Sequence, residues 1–168
     1  EHVHLEFKIA TRGVMGLRTR ILNATRGEAT LFHHFFEYGS YRGEISGRIS
    51  GSLIAMSTEK SVAYALDALQ QRGKLFVGPG EMCYEGMIVG EHAKDNDLVV
   101  NVAKAKQLTN MRAASADKGI ILAPPITFTL EEALEYIEDD ELVEVTPASI
   151  RLRKRLLSEN DRKKARRT

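Results

Sequence analysis

Side chains able to act as nucleophiles, bases or metal ligands are few in this chain. Its 168 residues include one cysteine, Cys83, and five histidines, His2, His4, His33, His34 and His92. His33 and His34 are adjacent in a segment patterned as a strand, so they face apart and are poorly placed to hold one metal. Cys83 has no basic pair nearby in sequence and reads as a small hydrophobe rather than a nucleophile. Glu91 and His92 offer an acid and a base, but strand neighbours point to opposite faces. Ser57-Thr58-Glu59-Lys60 has the S-x-x-K spacing of penicillin-recognising enzymes, yet the S-D-N and K-T-G elements are missing, and the four residues read as a turn. Asp95-Asn96-Asp97 begins like a calcium loop, but Val100 and Lys106 stand where its glycine and last glutamate belong, so an Asx turn is expected. Gly78-Pro79-Gly80 is too short to cradle phosphates, and there is no G-x-x-x-x-G-K-[ST]. No catalytic residue, metal site, cofactor or small-molecule substrate is expected in this chain.

What the sequence does offer is a binding loop. Lys104 to Lys118 joins two strand-like segments, and so long a connection in an ordered domain usually has a use. It carries Lys104, Lys106, Arg112 and Lys118, with Thr109, Asn110 and Ser115 as hydrogen-bonding groups and Met111 as an apolar wedge. Cations neutralise phosphates, while hydroxyl and amide groups reach sugars and base edges. A solvated loop with its cations in water is the plain alternative. A second basic surface is expected from Arg151, Arg153, Lys154 and Arg155, where the charge turns sharply positive. Residues 151–168 hold nine Lys or Arg against Glu159 and Asp161, whereas Glu131 to Glu144 holds eight carboxylates and no base. Such asymmetry favours a polyanion partner for the tail, or attraction between the two segments.

These residues must be positioned by a folded chain. A composition of 43% hydrophobic and 28% charged residues is a globular balance. No stretch is long and apolar enough to span a bilayer, and one cysteine permits no internal disulfide, so a soluble protein of a reducing, cytoplasmic compartment is expected. The start on Glu1-His2-Val3-His4-Leu5, without an initiator methionine or leader, reads as a piece of something longer. Val3, Leu5, Phe7 and Ile9 alternate with polar residues as in a strand. Thr11 can cap a helix with Val14, Leu17, Ile21 and Leu22 on one side and Gly27 as its stop, and Glu28 to Glu37 returns as a strand. Residues 1–41 thus read as half of a ferredoxin-like βαβ unit. A Gly-rich linker from Gly39 to Gly51 follows. Residues 42–168 show short strands near Ser52–Met56, Val62–Leu66, Lys74–Val77, Gly86–Glu91, Leu98–Ala103 and Gly119–Ala123, suggesting a small mixed β-barrel of the oligonucleotide-binding type. A short helical stretch is expected over Asp67 to Arg72. Thr129-Leu130-Glu131-Glu132 is a capping box, followed by Leu130, Ala133, Leu134 and Ile137 at helical spacing, which places Leu134 in the core. Strands at Leu142–Thr146 and Ser149–Lys154 and a basic helix from Ser158 complete an α+β chain.

Four strings go further: Tyr84-Glu85-Gly86-Met87-Ile88-Val89-Gly90-Glu91-His92, Asn96-Asp97-Leu98, Leu108-Thr109-Asn110-Met111-Arg112-Ala113 and Asp140-Glu141-Leu142-Val143-Glu144-Val145-Thr146-Pro147. Together they closely resemble the C-terminal region of the bacterial translational GTPase family TypA, also called BipA. Thr11-Arg12-Gly13 through Thr25-Arg26-Gly27 resembles the second half of that family's fifth domain, shared with elongation factor G. The resemblance covers essentially the whole chain. It implies residues 42–168 as the family-specific C-terminal domain, without the GTPase domain, so that GTP and Mg²⁺ belong to the absent N-terminal part. It further implies ribosome assembly or stress-adapted translation, with the large-subunit ribosomal RNA and an A-site transfer RNA near its acceptor end as partners and no membrane. Asn101, Lys106, Thr109, Asn110 and Arg112 match the family's RNA-contacting loop; Lys104, Ser115 and Lys118 come from charge and hydrogen-bonding chemistry. Gln107 and Ala114-Ser115-Ala116 depart from the lysine and S-G-T of many relatives. The competing class is a protein-interaction or regulatory module working through the acidic helix Glu131–Glu138 and exposed strand edges.

Overall fold

A computed structural model describes residues 3–14, 16–41, 43, 48–105 and 120–166. Contacts divide the chain into Glu1–Gly47 and Arg48–Thr168. In the first unit the expected helix is split into α1 (Thr11–Val14) and α2 (Leu17–Ala24), with Gly16 at φ +69° between them. Val14, Leu17, Ile21 and Leu22 are half-buried as the spacing predicts. Gly27, at φ +87°, donates its N–H to the Leu22 carbonyl at 2.7 Å and closes the helix in the left-handed conformation that glycine adopts without strain.

The flanking strands of the expected βαβ half are not formed among the described residues, and this is a correction. Val3, Leu5, Phe7, Phe32, Phe35 and Phe36 are exposed. Lys8 meets Glu37 at 3.4 Å and sits 3.7 Å from the centre of the Phe36 ring, so side chains rather than a backbone ladder join the two segments. Alternation supplies an apolar face, but an isolated two-stranded ribbon is marginal.

The second unit is built on one mixed sheet. Its strands are β1 (Ser52–Ala55), β3 (Gly73–Leu75), β5 (Met87–His92), β6 (Leu98–Val100), β7 (Glu141–Val145) and β8 (Ile150–Lys154). The order is β6-β1-β5-β8-β7, with β3 also paired to β5. Only β1 and β6 run parallel; the other pairs are antiparallel. One edge of β5 is shared, Met87 and Ile88 pairing with β8 while Gly90 to His92 pair with β3. The short β2 (Glu59–Lys60) and β4 (Met82–Cys83) form a separate ribbon that the sequence patterning did not reveal. β6 and β7 end the sheet without pairing to each other among the described residues, so where a small, closed or partly closed barrel was expected the sheet is open.

Helices cover both faces instead. The segment from Val62, expected as a strand, is α3 (Ala63–Gln70), whose Leu66 and Leu69 pack with Leu53, Val89 and Val100. Val62, Leu66 and Leu69 have the i, i+4, i+7 spacing of a helix, and the alanines among them favour it. On the opposite face α4 (Leu130–Tyr136) sits against Ile88 and Leu152, with Phe76, Phe128 and Tyr136 rings 4.8 to 5.4 Å apart. Its capping box forms as expected: Thr129 Oγ1 accepts from the Glu132 amide, and Glu132 Oε2 from the Thr129 amide. The contact residue is Ala133, while Leu134 is 56% exposed. Leu134 is therefore corrected from core to surface, because the seven-residue helix is pressed to the sheet on its small side chain. Ile120–Ala123 forms no strand, and Gly119 lies outside the described residues. The basic helix α5 (Glu159–Ala165) starts after Ser158 as read, acids in its first turn and cations in its last, matching the helix dipole.

Candidate nucleic-acid interface

β6 leads into the basic loop. The Met56 and Val62 amides donate to the Val100 and Val102 carbonyls at 2.9 Å, and the Val102 side chain is buried. Beyond this anchor Asn101 and Lys104 are exposed. Asn101 Oδ1 accepts the Ala103 amide at 2.8 Å, an Asx-type turn that starts the loop. Lys106, Thr109, Asn110, Arg112, Ser115 and Lys118 lie outside the described residues. The chain returns at Leu122, packed on the core, and at Ile126, whose amide donates to the Leu75 carbonyl at 2.8 Å.

The second basic surface divides by strand face. Arg151 and Arg153 share one side of β8, and Arg153 stands level with Met87 and Leu142 on the adjacent strands. Arg151 lies 3.9 Å from Glu144, which also accepts the Tyr84 hydroxyl. Arg155 is exposed. Lys154 points the other way and is 1% exposed, so its place on a basic surface is corrected. Its Nζ lies 2.9 Å from Glu141, 3.0 Å from Asp97 and 3.0 Å from Asp140. Glu141, 2% exposed, also takes Arg48 at 2.8 Å and the Ser52 hydroxyl at 2.7 Å. Asp97 accepts the Ser52 amide at 2.9 Å, and Arg48 stacks 4.4 Å from the Tyr136 ring centre.

Burial opposes charge on Glu141 and Asp97, but hydrogen bonds outweigh it and hold both carboxyls below their usual range: from Arg48 and Lys154 for Glu141, and from the Ser52 amide and Lys154 for Asp97. Lys154 is likewise raised despite burial, by its bonds to Glu141 and Asp97. This cluster is a lock on the sheet, joining residues from 48 to 154. The attraction between the acidic segment and the tail that the sequence offered as an alternative is present in Lys154 with Asp140 and Glu141 and in Arg151 with Glu144, but the burial of Lys154 and its link to Asp97 were missed, because only strand parity separates Lys154 from the neighbouring arginines. Arg162 is also internal, donating to the Leu156 and Leu157 carbonyls. The cations of the tail that face water are thus fewer than composition suggests.

Burial, then Glu81, pushes the Cys83 thiol up to about 11, which suits a packed hydrophobe. His92 is buried with Nδ1 2.6 Å from the Asn96 carbonyl oxygen. The Gly78-Pro79-Gly80 turn is closed on itself: the Gly78 amide donates to Glu81 Oε1 and the Gly80 amide to the Ser61 carbonyl. Those amides are already occupied, so the turn does not fit a phosphate. Among the described residues no group of three or more His, Cys, Asp or Glu is placed to hold a metal, and no helix is long and apolar enough to cross a membrane.

Around this open sheet, Lys104 and Arg155 are exposed among the described residues, and Arg151 and Arg153 share one side of β8. Residues 50–159 match the TypA/BipA C-terminal domain, and the chain belongs to that family. It is 51% identical over 166 residues to the "Large ribosomal subunit assembly factor BipA" of Escherichia coli strain K12, covering 98% of this chain and 27% of that protein. Proteins of the same name from Haemophilus influenzae and Buchnera aphidicola are each 50% identical, over 99% of this chain and 27% and 28% of their own lengths. The chain therefore spans about a quarter of the length of the curated relatives it matches.

Proposed function

We propose that this chain is the RNA-binding end of a ribosome-associated translational GTPase, acting in the cytoplasm on the large subunit. The observation that carries this reading is the near-complete, half-identical match to proteins named for large-subunit assembly. Asn101, Lys104, Lys106, Thr109, Asn110, Arg112, Ser115 and Lys118 contact ribosomal RNA, on the A-site side near the acceptor end of transfer RNA. Arg151, Arg153 and Arg155 form the secondary surface. GTP hydrolysis and its Mg²⁺ belong to another part of the parent protein, and this chain takes up no cofactor. Filter binding of the chain to large-subunit ribosomal RNA across a salt series tests the reading. Affinity should fall log-linearly with salt, by ~0.7 in slope per phosphate contact. Binding that is absent at low salt contradicts it.

A protein-interaction role is the second reading. It draws on α4, where Leu130 and Leu134 are exposed beside Glu131 and Glu135. Replacing Leu134 and Glu135 would impair such a module and leave RNA binding intact.

A further inference from the structure

β7 is an end strand of the sheet, and no strand lies beside its outer edge among the described residues. Hydrogen bonds at its two ends fix which backbone groups face outward. The Arg155 amide donates to the Asp140 carbonyl at 2.7 Å, and the Thr146 amide to the Ser149 carbonyl at 2.9 Å. Antiparallel pairs alternate between bonded and non-bonded residues, so Leu142 and Glu144 bond to β8 while Glu141, Val143 and Val145 turn their amides away from it. The Glu141 amide accordingly donates outward, to the Glu138 carbonyl at 2.9 Å. The amide and carbonyl groups of Val143 and Val145 are left on the open edge, where the Val145 side chain is 60% exposed. Within β7 there is no lysine, proline or bulge of the kind that commonly guards such an edge.

An open hollow of about 510 Å³ adjoins the N-terminal end of this edge, lined by Ile137, Glu138, Asp139, Glu141, Leu142 and Arg155. Arg48 and Lys154 already compensate Glu141. Glu138 and Asp139 make no ion pair among the described residues, and Arg155 offsets only one of the two charges. Burial, then Glu141 and Asp140, hold the Glu138 carboxyl above its usual range against the pull of Arg48 and Lys154. We infer that the β7 edge docks an extended, basic peptide segment of a protein partner, which adds as a strand beside Val143 and Val145 and seats a lysine or arginine between Glu138 and Asp139. Strand pairing supplies affinity, and the hollow supplies the preference for a cation. The inference does not depend on the RNA contact, and it puts a protein partner on a surface other than the outer face of α4.

The probe is a synthetic acetylated peptide of alternating valine and lysine, titrated into the whole chain and followed by NMR, with serine in place of lysine as the control. On addition of the lysine peptide the Val143 and Val145 amides should shift and become protected from exchange, whereas those of Leu142 and Glu144 are protected from the start. Val145→Pro removes an outward N–H without touching a bond to β8, and should weaken binding by about 3- to 10-fold, the worth of one interstrand hydrogen bond. Glu138→Gln with Asp139→Asn should weaken the lysine peptide by about 2- to 5-fold and leave the serine peptide unaffected. If Val145→Pro fails to fold, amide protection in the wild type carries the test. Unprotected Val143 and Val145 amides, or equal affinity in a folded Val145→Pro, overturn the inference. So does protection that appears without peptide as the chain is concentrated, which would make a second copy the occupant, or loss of peptide binding when Leu134 and Glu135 are replaced, which would move the contact to α4.

Discussion

Lys154 and Glu141 show how a charged residue becomes structural. Each is nearly excluded from water, and each has more than one opposite charge within 3.0 Å. Losing Lys154 leaves Glu141 with Arg48 alone and takes from Asp97 its buried cation, so Lys154→Met should cost ~3 kcal/mol in urea unfolding. The pH dependence has a definite sign. Glu141 and Asp97 are held below the usual carboxyl range, so their contribution is complete above the unfolded value of ~4 and is lost as pH falls through the folded values. Stability of the wild type should therefore drop steeply in acid, and Glu141→Gln should flatten that part of the curve. An identical acid profile in the variant would place the titrating groups elsewhere. Gly86 is constrained twice: its φ is +84°, and an added Cβ would lie 2.6 Å from Leu157 Cα. Gly86→Ala should lower the melting temperature and loosen the join between β5 and the segment leading to α5.

At the scale of elements, legibility followed local chemistry. The capping box at Thr129 and Glu132, the β7 and β8 hairpin around Pro147 and the helix stop at Gly27 are fixed by residues in one short window, and these read correctly. Val62 to Leu66 misread because four to five apolar residues suit a strand or a helix equally, and only the contact of Leu66 and Leu69 with the sheet decides. Leu134 misread because spacing identifies an apolar side but not how closely it approaches the sheet. Ala133 makes that contact, so Leu134→Ala should cost less than ~1 kcal/mol, whereas Ala133→Leu should overpack the face and cost ~1 to 3 kcal/mol. Barrel closure was not legible at all, since it depends on whether β6 and β7 meet, a relation between distant residues. The same holds for Lys154, where the parity of one strand separates a buried ion from two half-buried arginines. Of the loop residues singled out from the sequence, Asn101 and Lys104 fall among the described ones and both are exposed.

For the whole molecule, the sheet of the second unit is locked internally by the Glu141 and Lys154 cluster, and the proposed RNA contact is assigned to the basic loop that follows β6. The Gly78-Pro79-Gly80 turn spends its amides on Glu81 and Ser61, so calorimetric titration with GTP should give no saturable heat. Lys104, Lys106 and Arg112 are proposed to bring this chain to ribosomal RNA. The most direct measurement compares wild type with a variant carrying Ala at all three positions, binding purified large ribosomal subunits between low and moderate salt. Weaker binding is predicted, with a salt slope flatter by ~0.7 for each lost contact, a melting temperature near that of the wild type, and Arg112→Lys only partly restoring affinity in place of Arg112→Ala because the planar fork is gone. Equal affinity and equal slope in the triple variant would contradict the account and leave the Arg151 and Arg153 face of β8 as the site of any RNA contact.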